Sequence, residues 1–314
     1  MLVRTDIPNL LTAGMKREFF KVYNGEIIPE FQRIAMITES DGSLETYPWL
    51  GSVGQMREWK DERIPKGLLE HHFQVVNKDW EATIAIDKNE IDDEKYGQTK
   101  IKVRQLADEA RRFMGYLMFN LLDQGNAAVG TGIFNGTNIA CYDGQPYFSA
   151  AHTEGLSGTQ TNIAAGALNR TNLQAGISSM MNLLDDQGKP LNVQPDLLVV
   201  HPNQQWTARE LLESTYFPEG ATEGAAVGSK VANNVLKGAL QLYITPYVSA
   251  GHWFVFDTTR TVKPLLLQIR RNIEFDSVTE GYEKFMRKKL FFGCDWRGQA
   301  AFAMWQYAFG SFGP

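Results

Sequence analysis

The chain has 314 residues, 43% hydrophobic and 21% charged, with a formal net charge of -5. That length allows one large domain or two lobes, since single cores stop growing near roughly 250–300 residues, and the hydrophobic content excludes wholesale disorder. The acidic balance excludes a global attraction to nucleic acid, and only two cysteines, Cys141 and Cys294, exclude a disulfide framework.

The opening MLVRTDIPNLL carries Asp6 and Pro8 where a signal peptide needs an apolar run. The longest apolar stretch, 300–309, is interrupted by Gln306 and falls short of the ~20 residues of a bilayer span. A cytosolic chain with no membrane segment is expected. Residues 8–24 predict a helix, with Pro8 in its first turn, Gly25 as its stop, and Leu11, Met15, Phe19 and Val22 on one face. A second short helix follows Pro29, and 41–43 is a turn.

Residues 57–95 are nearly half charged. Yet Trp59, Ile64, Phe73, Val75, Trp80, Ile84 and Ile86 are strand formers, and Ala82, Ile84 and Ile86 alternate with polar neighbours. With a reversal at Pro65-Lys66-Gly67, the segment predicts a long two-sided hairpin or extended loop. An isolated hairpin is at best marginally stable in water, so the rest of the chain or another copy must cover it.

An acidic cluster, Asp87, Glu90, Asp92, Asp93 and Glu94, precedes a predicted helix over 98–124. Leu106, Ala110, Phe113, Met114, Leu117, Met118, Leu121 and Leu122 recur in steps of three and four along one face. Gly125-Asn126 ends it. Residues 125–166 read as loops with short strands. A helix over 169–186 is capped by Asn169 or Thr171. The run 195–200 is a buried strand, and His201-Pro-Asn turns into a helix over 204–214, a unit that predicts a small α/β lobe. After a Gly/Ala loop over 217–230, strands are predicted over 241–245, 253–257, 265–270, 283–292 and 299–309.

Cys141 and His152, with Asp143 between them, invite a cysteine-nucleophile reading, in which a base must reach the thiol and a carboxylate must orient the base. The plain alternative is a loop thiol and a surface histidine. His71, His72, His201 and His252 are scattered, with no zinc spacing. The acidic cluster at 87–94 has oxygen ligands for a hard cation but lacks a calcium-loop glycine, and carboxylates before a helix also favour its positive end. Gly224 to Lys230 lacks the spacing and the preceding strand of a phosphate loop. No catalytic, cofactor or metal residue is assigned, and weight shifts to a structural role.

Tyr47-Pro-Trp49-Leu50-Gly51, followed by Met56-Arg57-Glu58-Trp59 and Arg63, resembles the Mu-like phage major head subunit family. So do the step Ile91-Asp92-Asp93-Glu94-Lys95-Tyr96-Gly97, and Tyr142-Asp143-Gly144-Gln145 with Phe148 and His152. The motifs are individually weak, but their order and spacing span about 8–310. The resemblance implies the α+β fold of tailed-phage and herpesvirus major capsid proteins. Residues 1–50 would then form an N-terminal arm, 51–95 an extended hairpin loop and 96–129 the peripheral domain with its spine helix. Residues 130–240 would form the axial domain, and 241–314 a strand-rich return to the peripheral domain.

It further implies a self-assembling protein that forms hexamers and pentamers of an icosahedral shell enclosing double-stranded DNA without sequence-specific binding. Scaffolding protein, maturation protease and portal would be separate partners. The chain would reside in the virion capsid, and in the host cytoplasm during assembly. Within that reading Trp49, Trp59 and Trp80 are anchors between subunits, and Arg57, Glu58, Arg63 and Glu81 pair across the contact. Two alternatives stay open: a cysteine-dependent hydrolase using Cys141 and His152, and a non-viral shell of the same fold around enzyme cargo.

Overall fold

The computed structural model describes residues 7–25, 30–47, 73–92, 96–128, 141–218, 231–281 and 286–313. Helix α1 (Ile7–Tyr23) and the short α2 (Glu30–Ile34) lead into strands β1 (Ala35–Glu39) and β2 (Leu44–Tyr47). Strands β3 (Phe73–Val76) and β4 (Lys78–Asp87) precede the short α3 (Lys88–Asp92) and the 28-residue α4 (Tyr96–Asp123). Three two-residue strands, β5 (His152–Thr153), β6 (Thr159–Gln160) and β7 (Ile163–Ala164), lead to α5 (Arg170–Met181). Next come β8 (Leu197–Val200), α6 (Gln205–Glu213), β9 (Tyr216–Pro218), β10 (Val231–Asn233), β11 (Gln241–Ile244) and β12 (His252–Phe256). The long β13 (Leu265–Val278) and β14 (Lys289–Phe302) and then β15 (Ala308–Phe312) complete the chain.

Two sheets organise these elements. One has the order β1-β13-β14-β4, with β1 parallel to β13 and the remaining pairs antiparallel. Across it lie α1 and α4. The buried positions Leu11, Met15 and Phe19 of α1, four apart, meet Val103, Leu106, Ala107 and Ala110 of α4 and Phe275 and Phe292 of the sheet. The other sheet has the order β11-β8-β12-β15-β7. Its inner strands β8, β12 and β15 are buried on both faces, which is why β8 reads as an unbroken Leu-Leu-Val-Val. Leu198, Val200, Trp253 and Val255 face α5 and α6. Leu197, Val199, Phe254 and Phe256 face the central core, which they share with Leu117 to Leu122 of α4 and with Leu265 to Leu267.

At about 42 Å, α4 is long enough to serve both cores. Its last residue is tied to the five-stranded sheet. Asp123 accepts from the Ser249 N–H at 2.8 Å and Oγ at 2.7 Å, and meets His252 Nδ1 at 2.6 Å. Burial alone would raise this carboxyl, but the bonds from His252 and Ser249 hold it below the ordinary range. They also offset an unfavourable charge at the negative end of a helix.

Several expectations need correction. The helix over 169–186 stops at Met181. Asp185 Oδ1 then takes the N–H groups of Gln187 and Lys189, and Gly188 turns left-handed at φ 76°, so local side-chain bonding ends the helix. The breaks predicted around 270 and 293–298 do not exist, because β13 and β14 run as one 14-residue pair with two register shifts. Gly293 and Gly298 are close-approach positions and not breakers. A Cβ on Gly298 would lie 2.3 Å from the Gln268 carbonyl oxygen and 2.5 Å from the Trp296 ring.

Of the segment 57–95, the described strands pair outside it: β4 pairs with β14, and β3 pairs with β2, Tyr47 opposite Phe73; residues 57–64 lie outside the described residues. The reversal at Pro65-Lys66-Gly67 lies outside the described residues. After residue 240, β11, β12 and β15 complete the five-stranded sheet, and β13 and β14 lie in the four-stranded one.

Gly298→Ala should destabilise the protein by about 1–3 kcal/mol through overpacking. Gly14→Ala, on the exposed side of α1 with no atom near its Cβ, should stabilise it by roughly 0.5–1 kcal/mol. Urea titrations of the two variants should therefore move in opposite directions. Asp123 has a depressed carboxyl in the fold, so its contribution is present above the ordinary carboxylate range and lost as pH falls through it. The stability gap between wild type and Asp123→Asn should be widest near neutrality and close below about pH 4; a gap that widens in acid would contradict the clip.

Candidate functional site

The segment after α4 holds the Cys141, Asp143 and His152 arrangement that imitates catalytic chemistry. Residues 141–145 form a tight turn, with the Cys141 N–H on the Gln145 carbonyl at 2.7 Å and Gly144 left-handed at φ 79°. Cys141 is buried, and its Sγ faces the Ala303 carbonyl at 3.7 Å. Burial, and then the nearby Asp143 charge, push the thiol well above its ordinary value. A nucleophilic cysteine needs the opposite shift.

His152 is not a free base either. Its Nδ1 lies 2.6 Å from Asp143 Oδ2 and its Nε2 3.2 Å from the Tyr147 carbonyl, so both ring nitrogens face acceptors. The ring stacks on Trp305 at 4.0 Å and is 0% exposed. Alongside, Tyr142 Oη and Gln306 Nε2 donate to Glu154 Oε2 at 3.1 and 2.8 Å, and burial pushes the Glu154 carboxyl up. Asn162 Nδ2 donates to the carbonyl of Tyr147 at 2.9 Å and to those of Trp305 and Ala308 at 3.3 Å. The Tyr142-Asp143-Gly144-Gln145 motif and His152 thus form a buried polar knot that pins 141–162 to 303–308.

Of the acidic cluster, Asp93 and Glu94 lie outside the described residues, and Asp87 and Glu90 have structural tasks. Asp87 Oδ1 accepts the Asn89 N–H at 2.8 Å, and Glu90 pairs with Lys102 of α4 at 2.9 Å. Among the described residues no group of His, Cys, Asp or Glu could hold a metal ion, and no helix is long and apolar enough to cross a membrane.

Of the seven expected contact residues, Trp49, Arg57, Glu58, Trp59 and Arg63 lie outside the described residues. Trp80 and Glu81 stand side by side on β4, an edge strand. Trp80 is half-buried, donates from Nε1 to the Gly298 carbonyl at 3.1 Å and packs on Phe113 of α4 with ring centroids 5.0 Å apart. Glu81 is exposed and accepts from Thr83 Oγ1 at 2.8 Å. Trp80, Phe113, Met114 and Trp296 line a groove of about 190 Å³ that opens between α4 and the sheet, with Glu81 and Glu109 also on its walls. The sequence did not point to Trp296 or Phe113 as surface-site residues. Trp296 lay in a supposed strand break, and Phe113 read as ordinary helix core.

A family model described as Mu-like prophage major head subunit gpT matches residues 9–169, 160–248 and 249–313. The chain belongs to the Mu-like major head subunit family. It is similar to the FluMu prophage major head subunit of Haemophilus influenzae, at 22% identity over 98% of this chain and 73% of that one. It is similar to the major capsid protein of Escherichia phage Mu at 21% identity, over 89% of this chain and 65% of that one. The chain therefore spans about two-thirds to three-quarters of these relatives' lengths. The fold is that of tailed-phage capsids. The procapsid of bacteriophage JBD30 matches with a TM-score of 0.55 at 22% identity, over 99% of this chain and 76% of that one. A Mycobacterium phage Patience chain matches at 0.54 and 10% identity, over 100% and 89%. As a Mu-like major head subunit the protein is a structural capsid protein and not an enzyme.

Two outcomes follow from the polar knot. Cys141 and Cys294, both buried with raised thiols, should resist a thiol reagent in the folded protein at neutral pH and both react in denaturant. Fast labelling of native Cys141 would contradict the buried assignment. His152→Ala leaves Asp143 Oδ2 without its ring partner, while Oδ1 keeps the Gln145 N–H, and should cost about 3 kcal/mol in a denaturation titration, with no compensating change in thiol reactivity.

Proposed function

We propose that the subunits associate as hexamers and pentamers into a closed icosahedral head shell around double-stranded DNA. The observation that carries this is the family match, which runs from residue 9 to residue 313 and so involves both sheets. In this reading the four-stranded sheet with α1 and α4 is the peripheral domain, α4 its spine helix, and the five-stranded sheet with α5 and α6 the axial domain. Residues 48–72, which join β2 to β3, supply the extended loop over a neighbouring subunit. Trp49, Arg57, Glu58, Trp59 and Arg63 belong to that contact. A net charge of -5 lets packaged DNA lie against the wall without adhering to it.

A shell of this kind closes through many weak contacts repeated around rotation axes. It needs a scaffolding protein, a portal and a maturation protease from other genes, assembly in the host cytoplasm, and a final place in the virion. Family membership favours this reading over a cargo-enclosing shell. Electron microscopy of the expressed protein, alone and with the scaffolding protein of the same phage, should show closed shells of uniform size. A chain that sediments as a monomer under every such condition would remove the proposal.

A further inference from the structure

Inside the polar knot, acceptors outnumber donors around Glu154. This side chain is buried, and its Oε2 already takes the Gln306 Nε2 donor at 2.8 Å and the Tyr142 hydroxyl at 3.1 Å. The other half of the same Gln306 amide is unmet. Gln306 is 1% exposed, and its Oε1 has no hydrogen-bond partner among the described residues. Asp186 Oδ1 is a second buried acceptor in that state. The turn that carries Asp186 is pressed onto the Glu154 loop. The Leu156 N–H donates to the Asp186 carbonyl at 2.7 Å, and a Cβ on Gly155 would lie 2.2 Å from that oxygen. Facing Glu154 are therefore Cys141, Tyr142 and Asp143 of one turn, Asp186 of another, and Gln306 and Tyr307 of a third. A buried acceptor left without a donor is costly.

One proton supplies the missing donor. A carboxylate only accepts, whereas a carboxylic acid has one O–H and keeps its carbonyl oxygen as an acceptor. With the proton on Oε1 of Glu154, Oε2 still serves Gln306 Nε2 and Tyr142, and the new O–H can meet the oxygen of the same amide. We infer that Glu154 and Gln306 form a proton-operated clasp between the 141–162 segment and the 305–307 turn before β15. In mild acid Glu154 is the neutral acid and donates to Gln306 Oε1, which closes a two-bond acid–amide pair. At higher pH the ionised carboxylate leaves that oxygen unmatched. Burial, and then the charges of Asp186 and Asp143, raise the Glu154 carboxyl against the bonds from Tyr142 and Gln306. A carboxyl raised by folding binds its proton more tightly in the folded state. Its stabilising contribution is complete below the ordinary carboxylate range and is lost as pH rises through the raised value.

The test is a set of urea titrations of the full chain between about pH 5 and about pH 8. Glu154→Gln reproduces the neutral acid, with a carbonyl for the existing donors and an N–H for Gln306 Oε1. The ratio of the two folding constants isolates this one group from every other that titrates. Glu154→Gln should be the more stable protein near pH 8, and its lead should shrink as pH falls, by up to about tenfold per pH unit. Infrared spectra of the folded wild type in mild acid should show the C=O stretch of a protonated carboxyl, and Glu154→Gln should lack that band. Asp186→Asn, which removes a neighbouring charge, should move the band to lower pH without abolishing it. A Glu154→Gln variant that does not fold, or that is weaker than wild type by the same margin at every pH, overturns the clasp, because the charge itself is then required. Absence of the wild-type band overturns it too. Loss of the band in Asp186→Asn places the proton between two carboxyls and overturns the pairing with Gln306. Wild-type stability that rises with added Ca²⁺ at fixed pH assigns the unmatched oxygens to a cation, and the clasp falls.

Discussion

One helix closing two cores is the constraint on which the rest of this structure depends. The first half of α4 buries Val103, Leu106, Ala107 and Ala110 against α1 and the far end of the β13–β14 pair. Its second half buries Leu117, Met118, Phe119, Leu121 and Leu122 in the central core, where Phe119 stacks on Tyr243 of β11 with centroids 5.3 Å apart. Neither half can shift along its axis without opening a cavity in the other, because close-packed interiors do not deform continuously. The ties from Ser249 and His252 to Asp123 fix the remaining freedom at the helix end. The two sheets therefore behave as one body, a useful property for a subunit that must present the same faces to every neighbour.

The polar knot around His152 shows how a motif can be specific without being catalytic. The loop between α4 and the five-stranded sheet buries Tyr147 and Phe148 in the central core. Directional bonds from Asp143, His152, Asn162, Glu154 and Gln306 fix the rest of it. Each of these groups is buried or nearly so, and a buried polar group without its partner is costly. The residue types at these positions are then as restricted as in an active site. A sequence pattern of cysteine, aspartate and histidine cannot by itself tell the two cases apart. The direction of the thiol shift and the acceptors on both ring nitrogens can.

The fold was legible where local pattern and tertiary burial agree. The apolar period of α4, the Asn169 cap, which accepts the Asn172 N–H at 2.8 Å, and the uninterrupted Leu197 to Val200 strand all read directly. It was illegible where a residue's local meaning is reversed by its neighbour. Gly293 and Gly298 look like strand breaks, yet they let β14 approach Thr83 and Gln268. The polar Arg270-Arg271-Asn272 run looks like a strand end, yet its side chains leave the pair toward solvent, and Arg271 meets Asp79 and Glu274. The pairing of β4 with β14 joins positions some two hundred residues apart, which no periodicity reveals. The Trp80 groove was half legible: composition marked the tryptophan, but only the sheet brings it to Phe113 and Trp296.

The charge on β4 has a physical purpose that the hairpin reading of 57–95 did not capture. As the edge of a sheet, this strand offers ten residues for pairing to any passing chain, and an apolar edge of that length invites aggregation. Its outward positions are Asp79, Glu81, Thr83 and Ala85, while Trp80, Ala82, Ile84 and Ile86 turn inward. Asp79 sits within 3.5 Å of Arg297 and 3.9 Å of Arg271, so part of the charge is balanced within the chain and Glu81 stays available. A surface of this kind penalises misplaced strands while leaving a partner of complementary charge attractive. For a protein that must meet many copies of itself, in one orientation and with errors that can reverse, discrimination at the edge matters more than strength. The acidic strand supplies it at little cost to the subunit's own stability, because exposed ion pairs contribute about 0–1 kcal/mol each.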